Sequence, residues 1–216
     1  MIKRLIIQVL SKSGYLRDNY LNDLEHERYW KWLYEGKPIP PPDLVKQITV
    51  KEYANRYNTN IMVETGTYKG DMVFAVKNMF DRIYTIELND VLYSNAVERF
   101  SKYRKVSVIK GDSERELSKI IEDINEPCLF WLDAHYMESV GTKGQKETPI
   151  VKEVEYISKH SIKNHVLLID DARYFTSEND YPSVEELRDI VRTRLPNHSF
   201  YVKNDIIRIT PNVLFY

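Results

Sequence analysis

Short apolar runs recur through the middle of the chain, separated by segments whose apolar residues have helical spacing. A strand covered by helices on both faces has no polar side, so these runs predict buried strands of a parallel sheet. The predicted strands are Ile61–Val63, Ile83–Glu87, Val106–Lys110, Cys128–Leu132 and Val166–Ile169. Their alternation with helices predicts an α/β fold with a doubly wound, mostly parallel sheet.

The end of the chain has a different pattern. Two further strand-like runs, Ser199–Lys203 and Ile206–Thr210, are joined at Asn204-Asp205. Two such runs with a short polar link are typical of a β-hairpin. With the hairpin, the expected sheet has seven strands.

Helix starts are predicted where a capping residue precedes an apolar pattern. A Ser or Thr followed three residues later by Glu is a capping box, and Pro is favoured at the first helical position. The candidates are the boxes Thr49-x-x-Glu52, Ser113-x-x-Glu116 and Ser183-x-x-Glu186, together with Thr148 as cap and Pro149 as first residue of a helix that runs to about Lys159.

The first 58 residues predict a helical extension rather than part of the sheet. Tyr20–Leu33 is expected to be a helix, and Lys37–Pro42 an extended Pro-rich connector. Apolar positions of Met1–Leu10 share one helical face, which packs on this chain or a second subunit, or attaches to a membrane surface; packing is favoured. The run is too short and too interrupted for a secretory signal. We therefore divide the chain into an extension, residues 1–58, and a Rossmann-like domain, residues 59–216.

Composition narrows the setting. The 216 residues, 43% of them hydrophobic, are enough for one sizeable core, and no run is long enough to span a bilayer. A net charge of −1 gives no general attraction to phosphate backbones, so no nucleic-acid partner is expected. Cys128 is the one cysteine, which excludes an intrachain disulfide and favours a reducing, cytoplasmic location. Membrane association is not expected, and a homo-oligomer stays open.

The segment after the first predicted strand indicates a nucleotide-type cofactor. Glu64 ends the strand, Gly66 permits a sharp strand-to-helix turn, and Gly70 lets the next helix pack closely on the sheet. Glu87 closes the second strand 21 residues after Gly66, where an acid accepts hydrogen bonds from both hydroxyls of a ribose. The alternative is a plain helix-packing turn without a ligand.

The residues between the glycines bear on which cofactor binds. A dinucleotide site needs G-x-G-x-x-G, whose middle glycine lets backbone N–H groups approach a pyrophosphate. Tyr68 and Lys69 occupy that place, and Glu64 would repel a phosphate. S-adenosylmethionine has a ribose, no phosphate, and cationic groups that suit a carboxylate. The sequence therefore favours S-adenosylmethionine over NAD.

Acidic residues also follow the later strands. Asp112 is a candidate acceptor for the adenine amino group beside Ser113, Asp133 ends the fourth strand, and Asp170-Asp171 ends the fifth. Open α/β sheets bind ligands at the edge where parallel strands end, so these side chains are expected to share one hollow with Glu64 and Glu87. Asp112 with Ser113, and the Asp pair, have simple capping as their alternative role.

Three carboxylates at adjacent strand ends repel one another unless a cation lies between them or one takes up a proton. Their hard oxygen ligands favour Mg²⁺ or another hard divalent ion. Such an ion holds an acceptor hydroxyl and lowers its pKa, and a nearby base removes the proton. His135 is the first candidate base and Asp133 the second; His135 has a structural role as its alternative.

The order VETGTYKGD, TIEL, GDS, FWLDAHY and LLIDDAR resembles a class I S-adenosylmethionine-dependent methyltransferase, and the acids after strands four and five resemble the metal-dependent macrocin O-methyltransferase type. That resemblance covers about Ile61 to Thr210 and implies an antiparallel strand from the hairpin and a sugar or natural-product hydroxyl as acceptor. It implies metal binding by Asp133, Asp170 and Asp171. It implies cofactor binding by Glu64, Gly66, Glu87, Asp112 and Ser113. We add Thr65, Thr67, Gly70 and Asp133 as further candidate cofactor-binding residues.

The leading hypothesis is thus a metal-assisted O-methyltransferase that uses S-adenosylmethionine and Mg²⁺ on a small polar acceptor, a sugar or glycan precursor. The polar loop Glu138–Glu147 is expected to act as a lid over the acceptor. An NAD-type oxidoreductase and a non-catalytic cofactor-binding module are the alternatives. His26, His160, His165 and His198 show no ligand spacing and are expected to be ordinary surface or core residues.

Overall fold

The computed structural model describes residues 14–133 and 148–212, with side chains from residue 23 onward. Within these ranges the chain forms a seven-stranded sheet in the order β3-β2-β1-β4-β5-β7-β6. Strands β1 to β5 run parallel, and β7 pairs antiparallel with both β5 and β6. The predicted α/β fold with its antiparallel C-terminal strand is confirmed. The strands are β1 Ile61–Thr65, β2 Arg82–Glu87, β3 Val106–Lys110, β4 Leu129–Leu132, β5 Val166–Ile169, β6 His198–Lys203 and β7 Ile206–Pro211.

Helices cover both faces of the sheet. In β1 the side chains of Ile61 and Val63 enter one core, whereas Met62 between them enters the other. This alternation follows from the two-residue period of a strand, and it explains why the run is apolar throughout. The helices are α1 Gly14–Tyr34, α2 Asp43–Tyr57, α3 Asp71–Val76, α4 Asp90–Phe100, α5 Ser113–Glu122, α6 Ile150–Lys159 and α7 Val184–Arg194, with a short 3₁₀ helix at Ala172–Tyr174.

Helix α2 packs against the sheet, and helix α1 packs against α2. Val50, Tyr53 and Ala54 of α2 are buried in the same core as Met62 of β1. Helix α1 is longer than predicted, and its Trp32 donates an indole hydrogen bond to the carbonyl of Pro38 at 2.8 Å. Among the described helices none is both long and apolar enough to cross a membrane. The predicted apolar face of residues 1–10 lies outside the described residues.

Two predicted helix starts are wrong. Thr49 lies inside α2, where its hydroxyl donates to the carbonyl of Val45 at 2.8 Å; the helix starts directly after Pro42, whose fixed φ suits a helix start. Asp112, not Ser113, caps α5, because its carboxylate accepts from the N–H of Glu114 at 3.0 Å. Two short polar residues in a row left the choice of cap open to either.

The predicted starts of α6 and α7 agree with the structure to within one residue. Helix α6 begins one residue later than predicted, at Ile150, whose N–H donates to the hydroxyl of Thr148 at 3.3 Å. The box at the start of α7 is confirmed, with both reciprocal hydrogen bonds between Ser183 and Glu186 present.

His165, at the amino end of β5, contacts Cys128 and two further histidines. The N–H of Cys128 donates to Nδ1 of His165 at 3.1 Å, so the His165 proton is on Nε2, which lies 2.8 Å from Nδ1 of His160. Nε2 of His198 lies 3.1 Å from the carbonyl of His165. Burial, with His160 and His198 nearby, lowers the pKa of His165 to about 4. The cluster lies at the amino ends of β4 and β5, the sheet edge opposite the acidic strand ends, so these three histidines are not part of the candidate site.

Candidate functional site

The turn after β1 has the backbone that its glycines predict. Gly66 and Gly70 have φ of 87° and 75°, and Tyr68 between them also has a positive φ of 50°. Only glycine adopts such angles without a steric cost. The predicted reason for Gly70 needs one correction, because the nearest atoms to a Cβ there belong to Phe100 at the end of α4, at 2.7 and 2.9 Å, and not to the sheet. The loop is thus fixed against α4.

Glu64 is buried beneath this turn. It is 2% exposed, and one carboxylate oxygen accepts a hydrogen bond from the Thr85 hydroxyl at 2.5 Å. Thr85 in turn lies 2.5 Å from the hydroxyl of Thr67. Burial raises the pKa of Glu64 to about 8, and the charges of Asp133 and Glu87 act in the same direction. A cation beside Glu64 would restore the ionised form.

Glu87 is held by its own backbone surroundings at the end of β2. Its Oε2 accepts from the N–H of Tyr68 at 2.8 Å, and its Oε1 from the N–H of Asn89 at 2.8 Å. A carboxylate oxygen has two lone pairs, so each oxygen keeps one for a further donor. This fixed orientation is what recognition of two neighbouring hydroxyl groups requires. Thr65 is fully buried at the end of β1, between the ends of β2 and β4.

Asp133, Asp170 and Asp171 converge at the ends of β4 and β5. One carboxylate oxygen from each lies within 4.8 Å of the others. The backbone explains this: the N–H of Asp133 bonds to the carbonyl of Thr65, and the N–H of Asp170 to that of Leu132, so three parallel strands end together. Asp170 and Asp171 are buried, and Asp133 is half-buried. The predicted metal ligands are therefore neighbours.

Two cations that the sequence did not indicate meet these carboxylates. The ammonium of Lys46, from α2, lies 2.5 Å from Oδ2 of Asp170 and 3.5 Å from Oδ1 of Asp171. Arg173 Nη1 lies 2.8 Å from the same oxygen of Asp171 and also pairs with Asp205 in the β6–β7 turn. Burial alone would lower the pKa of Lys46, but Asp170 and Asp171 outweigh it and raise it.

Asp171 has a strained backbone. Its φ is 55° and its ψ is 47°, the left-handed region that costs a residue with a Cβ about 1 kcal/mol or more. The surroundings hold it there: the Ala172 N–H donates to the Asp205 carbonyl and the Arg173 N–H to the Asp205 carboxylate, each at 2.8 Å. The hairpin thus fixes the direction of the Asp171 carboxylate.

A small cleft lies beside the acidic strand ends. Glu153 of α6 is 1% exposed, its Oε1 has no hydrogen-bond partner within the described ranges, and burial raises its pKa to about 7. A carboxylate on the apolar face of an amphipathic helix is a signal that could have identified it from sequence. The cleft is lined by Leu132, Asp133, Thr148, Ile150, Glu153, Ile169, Asp170, Phe175 and Tyr181.

The carboxylates suit a hard divalent cation in number, chemistry and mutual distance. The Lys46 ammonium already binds Asp170, so this group of carboxylates holds one positive charge of the protein itself. The donor set therefore fits a divalent ion, provided that Lys46 gives way. The candidate base His135 and the predicted lid, residues 138–147, lie outside the described residues.

Comparisons by sequence give no assignment: no protein-family model matches the chain, and no curated protein does. Solved structures do resemble it. Methyltransferase PaMTH1 from Podospora anserina, bound to S-adenosylhomocysteine, has a TM-score of 0.56 at 16% identity and covers 92% of this chain and 96% of its own. The O-methyltransferase TomG from Streptomyces achromogenes, with S-adenosylmethionine, has 0.54 at 15%, covering 87% and 88%.

A third solved structure also resembles the chain. A Clostridium thermocellum protein named as an rRNA methylase has a TM-score of 0.54 at 9% identity, covering 74% of this chain and 93% of its own. At such identities the likeness concerns the fold alone. The chain has a Rossmann-like fold that it shares with these methyltransferases, and the macrocin-type subclass stays a prediction.

Proposed function

We propose that this chain is an S-adenosylmethionine-dependent O-methyltransferase that acts, with the help of a divalent ion, on a hydroxyl of a small polar acceptor, a sugar or glycan precursor. The observation that carries the proposal is the convergence of acids at one sheet edge. Glu64 and Glu87 stand on one flank, and the Asp133, Asp170 and Asp171 group on the other. The neighbours bound to S-adenosylmethionine and its demethylated product support the choice of cofactor.

On the cofactor flank, the residues bind and orient. S-adenosylmethionine supplies a methyl group activated by the sulfonium. Glu87 is already aligned by two backbone donors, so it accepts from a ribose with little loss of side-chain entropy. Glu64 ionises to pair with the ammonium of the methionine part, which reverses the effect of its burial. Asp112 caps α5 through one oxygen and keeps lone pairs for the adenine amino group.

On the acceptor flank, Asp133, Asp170 and Asp171 are the residues that would hold a divalent ion, which there would make an acceptor hydroxyl more acidic. Asp133 is half-buried and reaches the cleft, so it accepts the hydroxyl proton if His135 does not. Phe175 and Tyr181 stand in the cleft wall beside Asp133, where an acceptor would approach the methyl donor for an in-line displacement.

An NAD-dependent reaction is less well supported. Tyr68, with its side chain, stands where a pyrophosphate would approach, and the buried Glu64 lies below the turn. A non-catalytic module would bind the cofactor without methyl transfer. The cytoplasmic location, the homo-oligomer and the absence of nucleic-acid partners remain predictions.

The test of cofactor choice is calorimetry with S-adenosylhomocysteine and NAD in parallel. S-adenosylhomocysteine should bind, and Glu87→Gln should weaken it about tenfold, since one charged acceptor is lost. Glu98→Gln, on the exposed face of α4, is the matched control and should bind as the parent does. Binding of NAD but not of S-adenosylhomocysteine would overturn the proposal. Transfer of radiolabelled methyl to a panel of nucleotide sugars and oligosaccharides then tests the acceptor class.

A further inference from the structure

Lys46 reaches the acidic strand ends from outside the sheet. It stands in the first turn of α2, and 124 residues separate it from Asp170, its partner at 2.5 Å. A cation in the first turn of a helix is opposed by the helix dipole, so its position there needs a compensating interaction. The carboxylates of Asp170 and Asp171 provide that interaction. Lys46 is thus positioned for these acids and not for its own helix.

Lys46 occupies the oxygens that a divalent ion would need. Its ammonium lies 2.5 Å from Oδ2 of Asp170 and 3.5 Å from Oδ1 of Asp171. An ion held by the same carboxylates would lie close to this ammonium, and two cations at such a distance repel each other. Exchange of Lys46 for the ion is therefore favoured over simple addition.

Of the two cations, Lys46 is the one that can leave. Arg173 is bound to Asp171 and Asp205 at once, and its own N–H is bonded to Asp205 as well. Lys46 holds the acids only through its ammonium, on a flexible four-carbon stem, and its side chain is 17% exposed, so it has a path to solvent. Helix α2 itself stays in place, because Val50 and Tyr53 are buried in the core.

We propose that Lys46 is a tethered counter-ion, which neutralises the Asp170 and Asp171 carboxylates in the metal-free protein and must be displaced when a divalent ion binds. The proposal rests on the metal-assisted function above and adds a residue that regulates the binding of the ion. Without Lys46 the buried acids would repel one another in the free protein. Lys46 holds the carboxylates in place in the free protein, and its competition with the ion lowers the apparent affinity of the site for that ion.

The test is a titration of the full chain with Mn²⁺. Binding is measured by calorimetry and by the electron paramagnetic resonance signal of free Mn²⁺. Lys46→Met should bind Mn²⁺ about tenfold more tightly than the parent, because the competing charge is gone. Lys51→Met is the matched control: Lys51 lies on the same helix, about 7.5 Å along the axis, and makes no ion pair within the described part of the chain. It should bind Mn²⁺ as the parent does.

A second variant and a second measurement guard against misfolding. Lys46→Arg keeps the positive charge and should bind Mn²⁺ no more tightly than the parent. In chelator, Lys46→Met should melt below the parent, and saturating Mn²⁺ should raise its melting temperature by more than it raises the parent's. Melting that is cooperative in chelator establishes that the variant is folded.

The outcomes separate this proposal from the function on which it rests. Equal Mn²⁺ affinity of Lys46→Met, Lys51→Met and the parent overturns the counter-ion role alone. S-adenosylhomocysteine binding with no Mn²⁺ binding in any variant overturns both the counter-ion and the metal role, and leaves the methyltransferase proposal standing. Failure to bind S-adenosylhomocysteine, measured in the same samples, overturns the proposed function itself.

Discussion

Replacing Gly70 with alanine should destabilise the protein by about 2–4 kcal/mol. Two costs add. The φ of 75° is a left-handed conformation that costs a residue with a Cβ about 1 kcal/mol. The new Cβ would also lie 2.7 Å from Cε2 and 2.9 Å from Cζ of Phe100, an overlap that has to be relieved by displacing a buried ring, at about 1–3 kcal/mol. Urea unfolding at constant m-value measures the sum.

Gly36 offers a control that separates the two costs. Its φ of 82° is similar, but a Cβ there would meet nothing within 4 Å, so Gly36→Ala should cost about 1 kcal/mol. Phe100→Leu should recover part of the loss in Gly70→Ala, which a double-mutant cycle detects. If Gly70→Ala loses no more stability than Gly36→Ala, Phe100 does not crowd the turn and the steric reasoning is wrong. S-adenosylhomocysteine affinity should fall in Gly70→Ala, because the displaced turn carries the N–H that orients Glu87.

Three further outcomes follow from the buried charges. Because the pKa of Glu64 is about 8 in the free protein, pairing with the cofactor ammonium at pH 7 should release about 0.9 proton, seen by calorimetry in buffers of different ionisation enthalpy; Glu64→Gln should release none. His165 takes up a proton below about pH 6.5 in the unfolded state, but only near pH 4 in the folded state. The free energy of unfolding therefore falls as the pH drops below 6.5. Between pH 7 and 5 the parent should lose about 2 kcal/mol more than His165→Gln in urea unfolding, and equal losses would contradict the buried neutral state. Asp170→Asn should abolish the dependence of turnover on divalent ions, whereas Asp189→Asn on the exposed face of α7 should not; parent activity that persists unchanged in chelator would count against the metal role.

The sheet could be predicted because its signal is local. Each central strand is a short apolar run, and an acid at the end of a run marks the edge where parallel strands bind ligands. Helix starts were less predictable. Asp112 and Ser113 are both good caps, and only the direction of the backbone decides between them. Thr49 satisfied a capping box within α2, where tertiary packing had already started the helix at Asp43.

The candidate site was predicted only in part, for a similar reason. The acids could be found because they end strands, and Arg173 follows Asp171 by two residues, but Lys46 and Asp205 come from a helix and a hairpin that the sequence does not link to the strand ends. Such contacts depend on how the elements pack, which no spacing along the chain encodes. A predicted metal site can therefore contain a cation of the protein, here Lys46, that leaves no pattern in the sequence.

The most direct measurement is a crystal structure with S-adenosylhomocysteine and Mn²⁺ bound, with Mn²⁺ located by its anomalous signal. The account predicts a ribose within hydrogen-bond distance of Glu87 and one anomalous peak among Asp133, Asp170 and Asp171, with the Lys46 ammonium moved away from Asp170. A ribose bound elsewhere, or Mn²⁺ found away from these three carboxylates, would contradict it.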